Sequence, residues 1–158
     1  MKIEIFTDGA AKGNPGNGGY GAILRFHGKE KELAEGFRLT TNNRMELLAV
    51  IVALEALNST KYPITIYSDS KYVVDAVEKG WVFGWDKKGF KGKKNPDLWK
   101  RYISLHAKYK PTFVWVKGHA GHPENERCDQ LAVNAAEGQK LLIDEGYEKS
   151  QETNPDLF

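Results

Sequence analysis

The chain has 158 residues, which is enough for one domain built around a single hydrophobic core. Its composition, 41% hydrophobic and 28% charged with a net charge of +2, is ordinary for a soluble globular protein. The sequence contains no apolar run of about 18 residues, so we expect no membrane span.

The first residues and the cysteine content bear on where the protein works. Residues 1–5 alternate as a strand does, and they lack the apolar run and the small-residue cleavage site of a signal peptide. Cys128 is the only cysteine, so no internal disulfide can form, which fits a reducing cytosol. We therefore expect a cytoplasmic protein.

The periodicity of apolar residues, together with turn and capping signals, predicts three strands followed by alternating helices and strands. In chain order, the elements are strands 3–7, 19–26 and 32–39, helix 45–57, strand 64–67, helices 70–78 and 97–108, strand 112–116 and helix 124–137. Residues 79–94 are expected to form an exposed helix and loop, and residues 139–158 a polar, peripheral tail. This order predicts an α/β fold, in which helices pack on the faces of a mixed sheet.

Basic residues are concentrated at residues 79–101, which carry eight basic and two acidic side chains. This excess predicts contact with a polyanion, although a solvated lysine-rich surface gives the same pattern. Trp81 and Trp85 lie four residues apart and share a predicted helix face with Lys88. Aromatic surface among lysines such as Lys87 and Lys88 suits a sugar-phosphate backbone. Packing of the two tryptophans on the core is the alternative.

Four acidic residues stand where an ordinary surface explains them poorly, and each of them has a structural alternative as well. Asp8 and Asp69 each follow an apolar strand, where Asp8 can act as a turn residue and Asp69 as a helix cap. Asp129 borders the packed side of the last helix, because Ala132 and Val133 are apolar. Its alternative role is a surface acid near a helix N-terminus.

Glu46 gives the strongest single indication among the four. It has capping-box spacing from Asn43, which is its structural alternative. On a helix, however, it shares a face with the apolar residues Ala49, Val50 and Ala53, so its carboxylate points inward and needs a partner or a cation. If the four acids converge at one sheet edge, their oxygen atoms suit Mg²⁺ or Mn²⁺, and two such ions can act together.

Five motifs tie these residues together. In chain order they are IFTDG at 5–9, GNPG at 13–16, TNNRMEL at 41–47, YSDS at 67–70 and WVKGHAGH at 115–122, with Asp129 beyond. Jointly they resemble type 1 ribonuclease H in its compact bacterial form, which has no separate hybrid-binding domain. The resemblance implies a catalytic domain over residues 1–138, with a five-stranded mixed sheet flanked by helices, and an acidic tail over residues 139–158.

The same resemblance implies an endonuclease that cuts the RNA strand of RNA–DNA hybrids and leaves 5′-phosphate and 3′-hydroxyl ends. It implies a monomer that uses two Mg²⁺ ions, for which Mn²⁺ can substitute, held by Asp8, Glu46, Asp69 and Asp129. His119 matches a mobile histidine that moves protons or helps to release product. A solvated loop histidine is the alternative for that residue.

Recognition of the RNA strand requires contact with the 2′-hydroxyl, which DNA lacks. Asn14, Asn42 and Asn43 are suitable donors and acceptors and match family positions with that role, although the last two can also cap a helix. Lys71 departs from the family, since many relatives have glutamine at this position. We expect the lysine to contact phosphate instead.

Thr41 and Asn95 match a family pocket for one phosphate of the DNA strand. Relatives often add an arginine two residues before the threonine, but this chain has Leu39 there, and Arg38 is the candidate that could compensate.

Two other functions are compatible with such a chain. One is a nuclease or strand-transfer enzyme of the same fold that acts on DNA. The pair Asn42 and Asn43 and the basic segment, residues 79–101, argue against this function. The other is a non-catalytic hybrid-binding module, which the presence of all four acids disfavours.

Overall fold

The computed structural model describes residues 1–119 and 121–152. It contains six strands, six α-helices and a 3-10 turn in these residues. They are β1 (Ile3–Lys12), β2 (Gly16–Phe26), β3 (Lys29–Thr40), α1 (Asn42–Glu55), β4 (Ile64–Ser68), α2 (Lys71–Glu78), α3 (Trp81–Lys87), α4 (Pro96–Tyr109), β5 (Thr112–Trp115), the turn Lys117–His119, α5 (Pro123–Glu137), β6 (Leu141–Leu142) and α6 (Glu145–Ser150). None of the described helices is long and apolar enough to cross a membrane.

The strands form one mixed sheet in the order β5-β4-β1-β2-β3-β6. β1, β2 and β3 are antiparallel neighbours, whereas β4 runs parallel to β1, β5 parallel to β4, and β6 parallel to β3. The predicted α/β class and mixed sheet are therefore confirmed. The predicted count of five strands is wrong, because the two-residue strand β6 is too short to produce a periodic pattern.

The two faces of the sheet carry different helices. Side chains of a strand alternate between faces, and Ile5 packs in the main core with the largely buried helix α1, whereas Phe6 packs with Cys128 of α5. α5 lies very close to the sheet: a Cβ atom at Gly21 would approach the backbone oxygen of Cys128 to 2.3 Å. The strand glycine therefore sets the distance between α5 and the sheet.

The first hairpin is longer than predicted. The prediction ended β1 at residue 7, but pairing continues to Lys12, which lies opposite Asn17 on β2. Asp8 is therefore a residue within β1, opposite Gly21, and not a turn residue after the strand. The prediction began the second strand at residue 19, but β2 begins at Gly16, and its glycines leave room for closely packed helices.

Residues 141–150, predicted to be part of a peripheral tail, attach to the rest of the fold. β6 pairs with Gly36 and Phe37 of β3. Asp144 caps α6 and is 8% exposed, and it accepts hydrogen bonds from Thr40 at 2.7 Å and from Arg44 at 2.7 and 2.8 Å. The segment therefore supplies Asp144, the buried partner of Arg44 in α1. The domain boundary at residue 138 stays a prediction.

Candidate active site

Three carboxylates meet beside the start of α1, where the pairing of β1 with β4 ends. Asp8, Glu46 and Asp69 each offer one oxygen atom, and these three atoms lie within 4.8 Å of one another. Asp8 lies in β1, Glu46 in the first turns of α1, and Asp69 directly after β4. Of the four predicted metal ligands, the fold brings these three together.

The position of Glu46 depends on how closely α1 approaches β1. The side chain of Thr41 caps the helix by accepting a hydrogen bond of 3.2 Å from the backbone nitrogen of Arg44. At the same point, a Cβ atom on Gly9 would come within 2.4 Å of the backbone nitrogen of Glu46. Only glycine leaves room for the helix there, so the residue after Asp8 determines how near Glu46 can come to it.

The three carboxylates repel one another, and burial strengthens the repulsion. Asp8 is 3% exposed. The pKa of Glu46 is raised well above its usual value of 4.5, first by burial and then by the charges of Asp8 and Asp69. Its Oε2 atom is buried and meets no hydrogen-bond partner among the described residues. A divalent cation would supply that partner and remove the repulsion, and three carboxylates are a donor set that suits it.

Asp129, the fourth predicted ligand, is not one of the three residues whose oxygens lie within 4.8 Å of one another. It is exposed on α5, one residue after the buried Cys128, and it does not belong to the cluster of Asp8, Glu46 and Asp69. Its role as a metal ligand therefore stays a prediction. For His119, the backbone belongs to the 3-10 turn Lys117–His119, while its side chain and Ala120 lie outside the described residues.

The residues predicted to recognise substrate gather beside the start of α1. The side-chain oxygen of Asn14 accepts a hydrogen bond of 3.2 Å from the backbone nitrogen of Asn42, which joins the turn at residues 13–16 to the helix. Asn14, Thr41, Asn43 and Asn95 line a groove of about 790 Å³. Asn14, Asn42 and Asn43 are exposed, so all three can meet a ligand.

The phosphate pocket predicted at Thr41 and Asn95 has an unexpected arginine. Arg38, considered as a replacement for the arginine missing at Leu39, instead makes two hydrogen bonds of 2.8 Å to Glu148. Arg44 is 3% exposed and donates a hydrogen bond of 3.2 Å to the side-chain oxygen of Asn95. A buried guanidinium group thus orients the asparagine of this pocket.

The two tryptophans of the basic segment differ in how far they are exposed. Trp81 is 48% exposed at the start of α3, with the ammonium group of Lys79 5.0 Å from its ring centroid. Trp85 is half-buried: it packs edge-on against Trp99, with ring centroids 6.1 Å apart, and its ring also lies 5.0 Å from the ammonium group of Lys93. Trp85 therefore packs on the core, whereas Trp81 is available at the surface. Lys87 and Lys88 are exposed.

Lys71 is linked to Asp69 by Trp115, a residue to which the sequence analysis gave no role. Its ammonium group is 4.5 Å from the ring centroid of Trp115, and the indole nitrogen of Trp115 donates a hydrogen bond of 3.1 Å to the backbone oxygen of Asp69. An exposed cation is thus held next to the residue that follows β4.

A second residue that the prediction missed is Asn125, which is 1% exposed in the first turn of α5. Its side-chain nitrogen donates to the backbone oxygen of Tyr67 at 3.1 Å and, more weakly, to that of Thr7 at 3.5 Å. These two oxygens belong to β4 and β1. An asparagine near a helix start is usually a capping residue, so only its burial reveals this contact.

Comparison with known proteins agrees with this arrangement. The family model described as RNase H matches residues 1–137. The chain belongs to the RNase H family. It is 53% identical over 152 residues to a ribonuclease H of Rippkaea orientalis, covering 93% of each chain. It is 55% identical over 148 residues to a ribonuclease H of Desulforamulus reducens, covering 90% of this chain and 92% of the relative.

Solved structures of RNase H proteins have the same fold. LC9-RNase H1, a type 1 RNase H with the type 2 active-site motif, is 32% identical, and the match has a TM-score of 0.76 and covers 96% of this chain and 81% of that one. LC11-RNase H1 in complex with an RNA/DNA hybrid is 27% identical, with a TM-score of 0.61 over 86% of this chain and 97% of that one. The predicted family, RNase H-like fold and enzyme class are confirmed.

Proposed function

We propose that this chain is an endoribonuclease that hydrolyses the RNA strand of RNA–DNA hybrids and leaves 5′-phosphate and 3′-hydroxyl ends. The observation that carries the proposal is the group of Asp8, Glu46 and Asp69, whose oxygens lie within 4.8 Å of one another in a chain of the RNase H family. LC11-RNase H1, a structural neighbour, has been solved with an RNA/DNA hybrid, which supports the choice of substrate.

The metal-holding residues in this proposal are Asp8, Glu46, Asp69 and, from the exposed surface of α5, Asp129. We propose that they hold two Mg²⁺ ions when substrate is present and that Mn²⁺ can substitute. When bound, such ions activate water and stabilise the leaving oxygen. The buried Oε2 atom of Glu46 and the raised pKa of its carboxyl group support a cation at this point. His119 has the proposed role of moving protons or releasing product.

Discrimination between RNA and DNA is assigned to Asn14, Asn42 and Asn43. All three are exposed beside the start of α1, and the hydrogen bond from Asn42 to Asn14 holds two of them together. Their amide groups can donate to or accept from a 2′-hydroxyl, which only the RNA strand has. Lys71, held against Trp115 beside Asp69, is assigned to a phosphate near the cut.

The DNA strand is proposed to follow the basic segment. Trp81, Lys87 and Lys88 are exposed there and can contact the sugar-phosphate backbone, with Trp85 as a partly buried support. Thr41 and Asn95 are proposed to hold one DNA phosphate in the groove at the start of α1. In the cell, we propose a monomeric enzyme that acts in the cytoplasm.

Asp8→Asn is the variant that tests the proposal. The wild-type protein should cut a hybrid but not double-stranded DNA or double-stranded RNA, and the variant should lose this cleavage while keeping hybrid binding. Asp75→Asn, which replaces an acid of α2 paired with Lys79 at 3.8 Å, is the matched control and should stay active. Near-normal activity of Asp8→Asn would refute the metal site. Wild-type cleavage of DNA duplexes, or tight binding of the hybrid without metal-dependent cleavage, would establish one of the alternative functions.

A further inference from the structure

The groove at the start of α1 has a third wall that no sequence motif predicts. One wall is the helix start with Thr41 and Asn43, and a second is the loop at residues 93–95. The third wall comes from α6 and the residue after it, through Tyr147, Lys149, Ser150 and Gln151. The C-terminal segment therefore borders the same groove as the residues proposed to hold a DNA phosphate.

The groove is positively charged, although the segment that forms its third wall is acidic in sequence. Three lysines line it, Lys93 and Lys94 from one side and Lys149 from the other. The acid in the lining is Asp97, which forms two hydrogen bonds, of 2.7 and 2.9 Å, with the buried guanidinium group of Arg44. The charge that remains for a ligand is that of the lysines.

The described acids of the C-terminal segment do not line this groove. Asp144 is bound to Arg44 and Thr40, and Glu148 is bound to Arg38 at 2.8 Å. Glu145 lines a different depression, formed with β3 and α1. Lys149, by contrast, has no acidic partner within 4.0 Å among the described residues. Its charge is available to an anion in the groove.

The position of Lys149 is fixed by a buried anchor. Asp144, the N-cap of α6, is 8% exposed and bonds to Arg44, which is 3% exposed in α1. A buried charge pair with good geometry holds its two elements in one arrangement, because separating the charges is costly. Lys149 follows five residues after this anchor on a short helix, so it is held at a defined distance from the start of α1.

We propose that α6 is part of the substrate-binding surface and that Lys149 contacts a backbone phosphate of the DNA strand. Tyr147 lines the groove beside it and offers a hydroxyl group to the same backbone, whereas the hydroxyl of Ser150 already donates to the backbone oxygen of Tyr147 at 2.6 Å. This contact lies across the groove from Thr41 and Asn95 and adds a phosphate site to theirs. The inference rests on the proposed function, since it takes an RNA–DNA hybrid as the ligand.

The test compares Lys149→Ala with Lys140→Ala, which removes an exposed lysine of the same segment that does not line the groove. Binding of a fluorescent hybrid is measured by anisotropy in EDTA over a range of salt concentrations. Lys149→Ala should weaken binding several-fold and reduce the slope of log K against log salt by about one, as expected when one phosphate is no longer neutralised. Lys140→Ala should match the wild type. Equal slopes for all three proteins would overturn the proposal.

A second measurement identifies the strand. Single phosphates of the DNA strand are replaced in turn by neutral methylphosphonates, and the same is done for the RNA strand. One DNA position should weaken binding of the wild type but not of Lys149→Ala. A position found only in the RNA strand, or no such position, would overturn the assignment. Cleavage by the wild type separates the two proposals. If the wild type cuts the hybrid and Lys149→Ala binds it as the wild type does, only this inference is overturned. If the wild type cannot bind the hybrid, the proposed function is overturned.

Discussion

Asn125 donates a hydrogen bond of 3.1 Å from its side-chain nitrogen to the backbone oxygen of Tyr67, and its nitrogen also lies 3.5 Å from the backbone oxygen of Thr7. The asparagine thus bridges β1 and β4, the two parallel strands next to Asp8 and Asp69. The bridge lies in the interior, where removing one partner of a hydrogen bond leaves the other without compensation from water.

Asn125→Ala should therefore affect both stability and metal use. We expect a decrease of about 1–3 kcal/mol in the free energy of unfolding and a rise in the Mg²⁺ concentration needed for half-maximal cleavage, because the spacing of Asp8 and Asp69 is no longer fixed. Urea denaturation and a Mg²⁺ titration measure the two effects. Asn134→Ala, at an exposed position on the same helix, is the control. Lower stability with an unchanged Mg²⁺ titration would show that the bridge is only structural.

The raised pKa of Glu46 predicts an unusual pH dependence for the metal-free protein. Because its pKa is higher in the folded state than the ordinary 4.5, the folded state binds more protons than the unfolded state between these two values. This contribution to stability is present at low pH and is lost as the pH rises through the folded-state pKa, with a slope of at most about 1.4 kcal/mol per pH unit.

The difference in unfolding free energy between the wild type and Glu46→Gln, measured in EDTA from pH ~5 to ~8, isolates this effect. We expect the wild type to lose stability relative to the variant as the pH rises, and added Mg²⁺ to reverse that loss. Glu145→Gln, which changes an exposed acid of α6, is the control variant. A difference that does not change with pH would mean that Glu46 titrates normally.

The buried pair of Arg44 and Asp144, which anchors the C-terminal segment, predicts that two acids of this segment differ in their effect on stability. Asp144→Ala leaves Arg44 buried with one partner fewer, and we expect a decrease of about 3 kcal/mol in the free energy of unfolding, at the lower end for a broken buried pair because Asp97 remains. Glu148→Ala removes an exposed pair with Arg38 and should change stability little. Chemical denaturation of both variants measures the difference. Similar values for the two would show that burial of Arg44 does not need Asp144.

The basic segment should determine how hybrid binding depends on salt. Replacing the exposed lysines 87, 88, 91, 93 and 94 by alanine should flatten the slope of log K against log salt, by about 0.9 for each phosphate that the variant no longer neutralises. Replacing Lys29 and Lys31, which are exposed on β3, serves as the control. If both multiple variants keep the wild-type slope, the DNA strand binds elsewhere.

Local patterns in the sequence predicted most of the fold, and they predicted Glu46 best. Its apolar helix face is a short-range feature, and nine of the fourteen residues of the helix that carries it are buried. Asp8 was placed at a strand end because Asp-Gly is a common turn pair, yet pairing with β2 continues beyond it. In that case tertiary contacts, through the room that glycines leave for α1, outweighed the local turn signal.

Long-range contacts could not be predicted in this way. Arg44 appeared as an ordinary charged residue within a motif, because its partners Asp97 and Asp144 are 53 and 100 residues away in sequence. The same holds for Asn125 and for the groove wall formed by α6. Asp129 was expected to border the packed side of α5, but the buried positions of that helix are Asn125, Cys128, Ala132 and Ala136, which leave Asp129 exposed.

The short strand β6 also affects how the sheet meets its surroundings. It pairs only with Gly36 and Phe37, so the outer edge of β3 from Lys29 to Glu35 is not covered by it. That stretch is rich in charged side chains: Lys29, Glu30, Lys31, Glu32 and Glu35. Charges along an exposed edge oppose the docking of a further strand, since a docked strand would remove water from these charged groups. β6 therefore covers the apolar end of this edge, at Gly36 and Phe37, and the charged stretch from Lys29 to Glu35 is a poor template for aggregation by strand pairing.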